Sequence, residues 1–249
     1  MKYERTQKIE EYILEHKTVK MEKLCEVFKV SPNTIRRDIK EILKKGTIEK
    51  VYGGVTVADN STLVSFKDRR IIHQNLKLKI ALKASEFVNE NDIIYIDSGT
   101  TTVHMIEGLK NKSITVFTNN LNFIIKALPY PNIKIIALSG SLDRTVNSFV
   151  GKESIEFLKN LNIQKAFMAS TGISIKNGIT NASIKESGIK KTAIKQSSEI
   201  FLLIDSSKFS SLGLVTYAQF EDIDFLLTDY IPKEYENFLK ENKIKLELC

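Results

Sequence analysis

Two helical patterns separated by a short turn constrain the fold of this chain more than any other feature. The first pattern predicts a helix over 21–28, and Lys29-Val30 form the turn. The second opens with Ser31, which suits an N-cap, and Pro32, whose missing N–H costs nothing at the first helical position. Its apolar residues share one face at helical spacing: Ile35, Ile39, Ile42 and Leu43. These patterns predict two packed helices, the second of which ends at Gly46.

A hairpin is predicted after these helices. Residues 47–51 and 55–57 have strand propensity on either side of Tyr52-Gly53-Gly54, where the glycines favour a tight turn. With a further helix over about 4–16, this order of elements is typical of a winged helix-turn-helix. Residues 1–57 are therefore predicted to form a small DNA-binding domain.

The polar face of the second helix has side chains that suit DNA recognition. If the apolar stripe is buried, the outward side chains are Asn33, Thr34, Arg36, Arg37 and Lys40. Arg can bond a guanine edge in bidentate fashion, Asn an adenine, and the Thr methyl can contact a thymine. Arg36 is the predicted base reader, whereas Arg37 either contacts phosphate or pairs with Asp38. The cap and the hairpin complete the predicted DNA-binding residues: Ser31, Tyr52 and Gly53.

A helical bundle with merely solvated basic residues is the alternative to this interpretation. For two adjacent arginines on a helix it would be the default, but here cap, apolar stripe, basic face and hairpin coincide. Charge supports DNA as well. The formal net charge is +7, of which residues 1–57 carry +4, so the net positive charge per residue is about four times higher there than in the remainder.

The cysteines and the apolar runs of the sequence also indicate the cellular compartment. The two cysteines lack metal-ligand spacing, which indicates a reduced intracellular protein, and neither a metal nor another cofactor is predicted. Apolar runs fall short of the roughly 18 to 20 residues that a membrane span requires. We therefore expect a cytoplasmic protein without a membrane partner.

Apolar strands alternate with helices in the rest of the chain. Small polar residues at 58–62 predict a linker, taken as 58–74, before an α/β domain over 75–249. The predicted strands are 93–96, 114–117, 133–138, 165–168, 200–204 and 225–227. Continuous apolar strands between helices predict a Rossmann-like domain with a mostly parallel sheet, covered on both faces.

A polar loop, Asp97-Ser98-Gly99-Thr100-Thr101-Thr102, follows the first of these strands and precedes a helical pattern. Backbone N–H groups, hydroxyls and a helix dipole at such a turn can cradle an anion. It is not a Walker loop, because the spaced glycine and the Lys-Ser/Thr pair are absent. Ordinary helix starts have the same composition, so the loop alone leaves ligand binding open.

The run from Ser31 to Ile39, together with Tyr52-Gly53-Gly54, resembles the recognition helix and wing of the DeoR family of bacterial transcription regulators. The resemblance extends to Cys249 and implies a sensor domain similar to ribose-phosphate isomerase, with a phosphorylated sugar or polyol as effector. The residues it implies as effector ligands are Asp97, Gly99, Thr100, Thr101, Thr102, Asn119, Asn120, Glu186, Lys190 and Lys208. Without the resemblance, Glu186 and Lys190 would be interpreted as a surface salt bridge at i, i+4 spacing.

The leading functional hypothesis is a repressor of sugar or polyol metabolism genes that binds operator DNA. One winged helix offers too few base contacts for a specific operator, so a homo-oligomer, dimer or tetramer, is expected. The alternative is a sugar-phosphate isomerase with an appended DNA-binding domain and Glu186 as its base. Isomerases of this fold resemble one another in having acidic residues where this chain has Ala169-Ser170-Thr171-Gly172, which favours a sensor without catalysis. A dinucleotide-binding redox sensor is weakened because no G-x-G-x-x-G follows 93–96.

Overall fold

The computed structural model describes residues 2–43, 48–57, 69 and 72–249. The chain divides into two compact units, Met1–Ile72 and His73–Cys249. Three predicted features lie outside the described residues: the helix end at Gly46, the strand start at Thr47 and the polar stretch 58–62. In the part that is described, none of the helices combines the length and apolarity needed to cross a bilayer.

The first unit contains the predicted helices and hairpin. Its helices are α1 (Lys2–His16), α2 (Met21–Phe28) and α3 (Pro32–Leu43), and its strands are β1 (Thr18–Lys20), β2 (Ile48–Val51) and β3 (Gly54–Val57). The strands form an antiparallel sheet in the order β1-β3-β2. Strand β1 was not predicted, because three residues between two helices give too short a pattern to detect.

Apolar side chains from all three helices and from the hairpin meet in one core in this unit. Its fully or almost fully buried members are Ile9, Ile13, Val19, Leu24, Ile35, Ile39, Ile42, Ile48 and Val55. Three of the four apolar residues of α3 belong to it. The stripe that predicted the helix is therefore the face that holds α3 against α1 and α2.

The second unit is built on a seven-stranded sheet in which every neighbouring pair is parallel. Its strands, in spatial order, are β15 (Lys245–Leu248), β14 (Phe225–Thr228), β12 (Ser197–Leu203), β9 (Ile163–Met168), β4 (Ile93–Ile96), β5 (Ile114–Thr118) and β6 (Ile133–Ala137). Strands β5 and β6 are added in chain order on one side of β4, and strands β9, β12, β14 and β15 are added in chain order on its other side. The order reverses between β4 and β9, and ligands of open α/β sheets bind in the crevice at such a reversal.

Helices cover both faces of this sheet, and each face has its own apolar cluster. The helices are α4 (Gln74–Glu86), α5 (Ile106–Leu109), α6 (Leu121–Ala127), α7 (Lys152–Leu158), α8 (Ile184–Lys195) and α9 (Lys233–Glu241). Two small antiparallel sheets were not predicted. They contain β7 (Ser141–Asp143) with β8 (Ser148–Val150), and β10 (Gly172–Ser174), β11 (Gly178–Asn181) and β13 (Val215–Ala218).

Candidate DNA-binding face and effector site

The outward face of α3 is basic and exposed. Ile35, Ile39 and Ile42 are at most 2% exposed, which turns the polar residues of the helix toward solvent. The exposed members of the predicted set are Asn33, Arg36, Arg37 and Lys40, with Thr34 half-buried. Within the described ranges, the side chains of these four exposed residues make neither hydrogen bonds nor ion pairs. Their donors are therefore available to another molecule.

Asp38 is not a partner for Arg37, so that alternative was wrong. The Asp38 side chain is fully buried and accepts hydrogen bonds from Arg5 of α1, Nε to Oδ2 at 2.7 Å and Nη2 to Oδ1 at 3.3 Å. The reason is helical spacing, since Asp38 stands three residues after Ile35 and shares its inward face. The ion pair joins α1 to α3 and leaves Arg37 exposed.

The cap and the wing have defined structural roles. Ser31 Oγ accepts a hydrogen bond from the backbone N–H of Thr34 at 3.3 Å, as an N-cap should. Tyr52 is fully exposed at the tip of the hairpin. Gly53 adopts a φ of 76°, and its carbonyl accepts from the N–H of Met21 at 3.1 Å. The tip is thus tied to the start of α2.

In the second unit, the polar loop begins with a buried ion pair at the reversal point of the sheet. Asp97, at the end of β4, pairs with Lys190 of α8 and accepts a hydrogen bond from the N–H of Ala169 at 2.9 Å. Lys190 also donates to the Ala169 carbonyl at 2.9 Å, and its Nζ lies 5.1 Å from the centre of the Tyr217 ring. Asp97 and Lys190 are 0% and 3% exposed. The ion pair and its hydrogen bonds to the Ala169 backbone therefore connect the ends of β4 and β9 to helix α8.

Glu186 is also buried, but it does not pair with Lys190, so a surface salt bridge is the wrong interpretation of these two residues. Its Oε1 accepts from the Ser98 hydroxyl and its Oε2 from Asn181 Nδ2 at 3.3 Å. The i, i+4 spacing does place Glu186 and Lys190 on one side of α8, where each meets a different partner. Asn181 was not predicted as a site residue, although its position two residues before the N-cap Ser183 was a usable signal.

Some predicted ligand residues shape the polar loop. Thr102 Oγ1 donates to the Asp97 carbonyl at 2.7 Å and accepts from the Gly99 N–H at 3.1 Å. Asn120 Nδ2 reaches the carbonyls of Asp97 and Gly99 at 3.2 and 3.3 Å, and its Oδ1 caps α6. By contrast, the hydroxyls of Thr100 and Thr101 make no hydrogen bond with any described residue.

Gly99 and Asn119 occupy tightly packed positions. A Cβ on Gly99 would lie 2.2 Å from Cβ of Ala169, so a larger residue would push the polar loop away from β9. Asn119 accepts from the Tyr95 hydroxyl at 2.9 Å and donates to Ser148 Oγ at 2.8 Å. Burial, together with the charges of Asp97 and Glu186, raises the pKa of Tyr95 well above its ordinary value, so this phenol remains a donor.

Lys208 is further from this group along the sheet. It ends a short 3₁₀ turn, Ser206–Lys208, after β12, and its side chain is half-buried. Strand β12 lies two positions from β4. The structure therefore brings Asp97, Glu186 and Lys190 together around the Asp97–Thr102 loop and sets Lys208 to one side, at the same carboxyl edge.

Comparison with known proteins gives two family matches and several relatives. The family model of the DeoR-like helix-turn-helix domain matches residues 5–61, and that of the DeoR C terminal sensor domain matches residues 72–230. The HTH-type transcriptional regulator IolR of Bacillus subtilis (strain 168) is 43% identical over 251 residues, covering 100% of both chains. The glycerol-3-phosphate regulon repressor of Escherichia coli (strain K12) is 28% identical, covering 93% of this chain and 92% of its own.

Among solved structures, ribose 5-phosphate isomerase A from Methanocaldococcus jannaschii is similar with a TM-score of 0.40 and 17% identity. The match covers 55% of this chain and 54% of that one. A structural similarity this low gives no information about the activity of this chain.

Proposed function

The chain belongs to the DeoR family of bacterial transcription regulators, and we propose that it is a cytoplasmic repressor of sugar or polyol metabolism genes, controlled by a phosphorylated sugar or polyol. In this proposal residues 1–57 bind operator DNA, 58–74 form a linker and 75–249 sense the effector. The E. coli relative, a glycerol-3-phosphate regulon repressor, supports a phosphorylated ligand of this class.

The observation that carries the DNA-binding part is the basic face of α3. A helix that enters the major groove needs one buried face and one polar face whose donors are free. Arg36, Arg37 and Lys40 fulfil the second condition, since their side chains are exposed and make no hydrogen bond or ion pair within the described part of the protein. Tyr52 and Gly53, at the tip of the wing, are proposed to contact the DNA beside the helix.

Selection from a random-sequence DNA library, with fluorescence anisotropy of the enriched sequences, would test this proposal. We expect paired half-sites whose centres are separated by about 10 to 10.5 base pairs or a multiple, because a homo-oligomer presents two recognition helices. Enrichment of no sequence, or of isolated single sites, would contradict a sequence-specific oligomeric regulator.

The effector is proposed to bind at the carboxyl edge of the sheet, beside the polar loop, and to weaken operator binding. The hydroxyls of Thr100 and Thr101, which make no hydrogen bond with any described residue, and the ammonium of Lys208 supply donors for a phosphate there. Anisotropy of an operator complex titrated with sugar and polyol phosphates tests this step, and the unphosphorylated compounds are the controls. Release by both classes alike would exclude phosphate recognition.

We further propose that this site binds its ligand without turnover. The segment after β9, Ala169-Ser170-Thr171-Gly172, offers no carboxylate, and both Glu186 oxygens already accept hydrogen bonds from Ser98 and Asn181. A general base must reach the substrate proton, and here these two hydrogen bonds hold the Glu186 carboxylate toward Ser98 and Asn181. Aldose–ketose interconversion by the intact protein that disappears in Glu186→Gln would establish the isomerase alternative instead.

A further inference from the structure

Asp205, at the carboxyl end of β12, is a buried carboxylate outside the predicted site residues. It is 1% exposed. Its Oδ1 accepts from the backbone N–H of Ser207 at 3.1 Å and from the Ser207 hydroxyl, whereas Oδ2 has no hydrogen-bond partner in the described part of the chain. A buried oxygen without a donor costs free energy, so native proteins rarely leave one without a functional reason.

Basic side chains hold this carboxylate in its charged form. Burial by itself raises the pKa of Asp205, but Lys208, the Ser207 hydroxyl, Lys77 and His73 together outweigh burial and lower that pKa below its ordinary value. Lys208 belongs to the same loop, while Lys77 and His73 come from the beginning of α4. Asp205 is therefore an anion at neutral pH, and its oxygens accept hydrogen bonds but cannot donate them.

Asp205 lies at the same edge of the sheet as the polar loop. Strand β12 is two strands from β4, so the carboxyl ends of these strands are about 10 Å apart. A phosphorylated chain of five or six carbons spans this gap. Helix α4 connects both places, since the charge of Lys77 in its first turn acts on Asp205 and its Ser85 donates to the carbonyl of Met105, just beyond the loop, at 3.2 Å.

We propose that Oδ2 of Asp205 accepts a hydrogen bond from a hydroxyl group of the effector and so selects a polyhydroxylated ligand over bare phosphate. The proposal rests on the phosphorylated effector proposed above. A carboxylate repels a phosphate but accepts from a sugar hydroxyl, whereas the nearby Lys208 attracts the phosphate. A buried acceptor that needs a ligand hydroxyl also discriminates strongly against compounds that lack one.

Asp205→Asn is the test, because it retains a carbonyl oxygen for the Ser207 N–H and replaces the other oxygen with an NH₂ group that cannot accept. Calorimetry on the intact protein would give Kd for D-glucose 6-phosphate, D-ribose 5-phosphate, glycerol 3-phosphate and inorganic phosphate. We expect the variant to bind the organic phosphates that the wild type binds about 10- to 100-fold more weakly. Its affinity for inorganic phosphate should be unchanged or higher, because a negative charge has been removed.

Asp229→Asn is the matched control in the same loop. Its two oxygens accept from the N–H and the hydroxyl of Ser206 at 2.7 and 2.8 Å, so both are engaged inside the protein. This variant should change the affinities for organic and inorganic phosphate by the same factor. If Asp205→Asn binds the organic phosphates like the wild type, or loses both ligand classes together, the proposal is overturned. A wild-type protein that binds none of the sugar and polyol phosphates used in the operator titration would instead refute the phosphorylated effector, and this inference with it.

Discussion

Arg36 is a single side chain on which base recognition is predicted to depend. It is exposed on α3 and makes no hydrogen bond or ion pair with the described residues, so its five donors are available to a guanine edge. We expect Arg36→Ala to cost about 1 to 3 kcal/mol of operator affinity and to relax base preference at one position. Anisotropy with the selected operator and its single-base variants would measure both effects.

Lys40 provides the comparison for Arg36, because the loss of a phosphate contact weakens binding to every sequence alike. Lys40→Ala should reduce affinity uniformly and lower the slope of log Kd against log salt by about one unit. An Arg36→Ala protein with unchanged base preference would show that another residue of α3 reads the operator.

Thr101 and Thr102 are adjacent threonines with different predicted roles. Thr102 Oγ1 is bonded within the polar loop, whereas the Thr101 hydroxyl has no partner among the described residues. Thr101→Val should therefore leave operator binding intact and abolish release by the effector, since it removes only a donor for the ligand. Anisotropy with and without effector would report both properties.

The neighbouring substitution Thr102→Val serves as the structural control. It removes two hydrogen bonds that shape the loop, so it should lower the melting temperature of the protein as well as the response to effector. Release that persists in Thr101→Val would place the phosphate elsewhere.

The ion pair between Asp97 and Lys190 connects three elements, β4, β9 and α8. Lys190→Met would leave the fully buried Asp97 carboxylate without its cation, which costs about 3 to 5 kcal/mol of stability in comparable pairs. Asp97→Asn introduced into the same protein should recover part of this loss, because the remaining group is neutral. Scanning calorimetry of the second unit's transition would measure both. A Lys190→Met protein as stable as the wild type would contradict this view of the pair.

The elements that the sequence predicted are those with a strong apolar pattern. Helix α2 has the predicted bounds, 21–28, and buries one face. Strand β15 was missed because its residues, Lys245 to Leu248, alternate charged and apolar side chains at the edge of the sheet, unlike the continuous apolar runs of the central strands. The short strands β10, β11 and β13 contain Ser, Thr and Asn and have no detectable pattern.

The candidate site could be predicted as a set of residues but not as a set of contacts. The polar loop and α8 were both identified, yet 93 residues separate Asp97 from Lys190, and spacing says nothing about such a pair. Their contact depends on the arrangement of β4, β9 and α8, which arises from packing. The sequence could not identify Asp205 either. Only its burial, and an oxygen without a hydrogen-bond partner among the described residues, distinguish it from an ordinary turn residue.

For the protein as a whole, the decisive property is the coupling between its two ligands. If the effector binds the operator-bound and the free protein unequally, DNA must change effector affinity by the same factor that effector changes DNA affinity. We expect this factor to be about 5 to 150, as for most allosteric couplings. Calorimetry would give the Kd of an active sugar phosphate with and without saturating operator. Anisotropy would give the Kd of the operator with and without a saturating concentration of that sugar phosphate.

The two ratios should agree in the wild type. In Thr101→Val, which is predicted to have lost the effector but not the DNA, the sugar phosphate should no longer change operator affinity. Equal ratios would follow whatever route joins the effector site to the operator-binding face, because the relation is thermodynamic. If the sugar phosphate releases DNA while saturating operator leaves its Kd unchanged, the release cannot be linked binding to one protein species. A change of oligomeric state would then have to explain it, and sedimentation of the protein with and without the compound would detect that change. Direct competition for α3 would give the opposite result, since the apparent Kd of the sugar phosphate would then rise in proportion to the operator concentration.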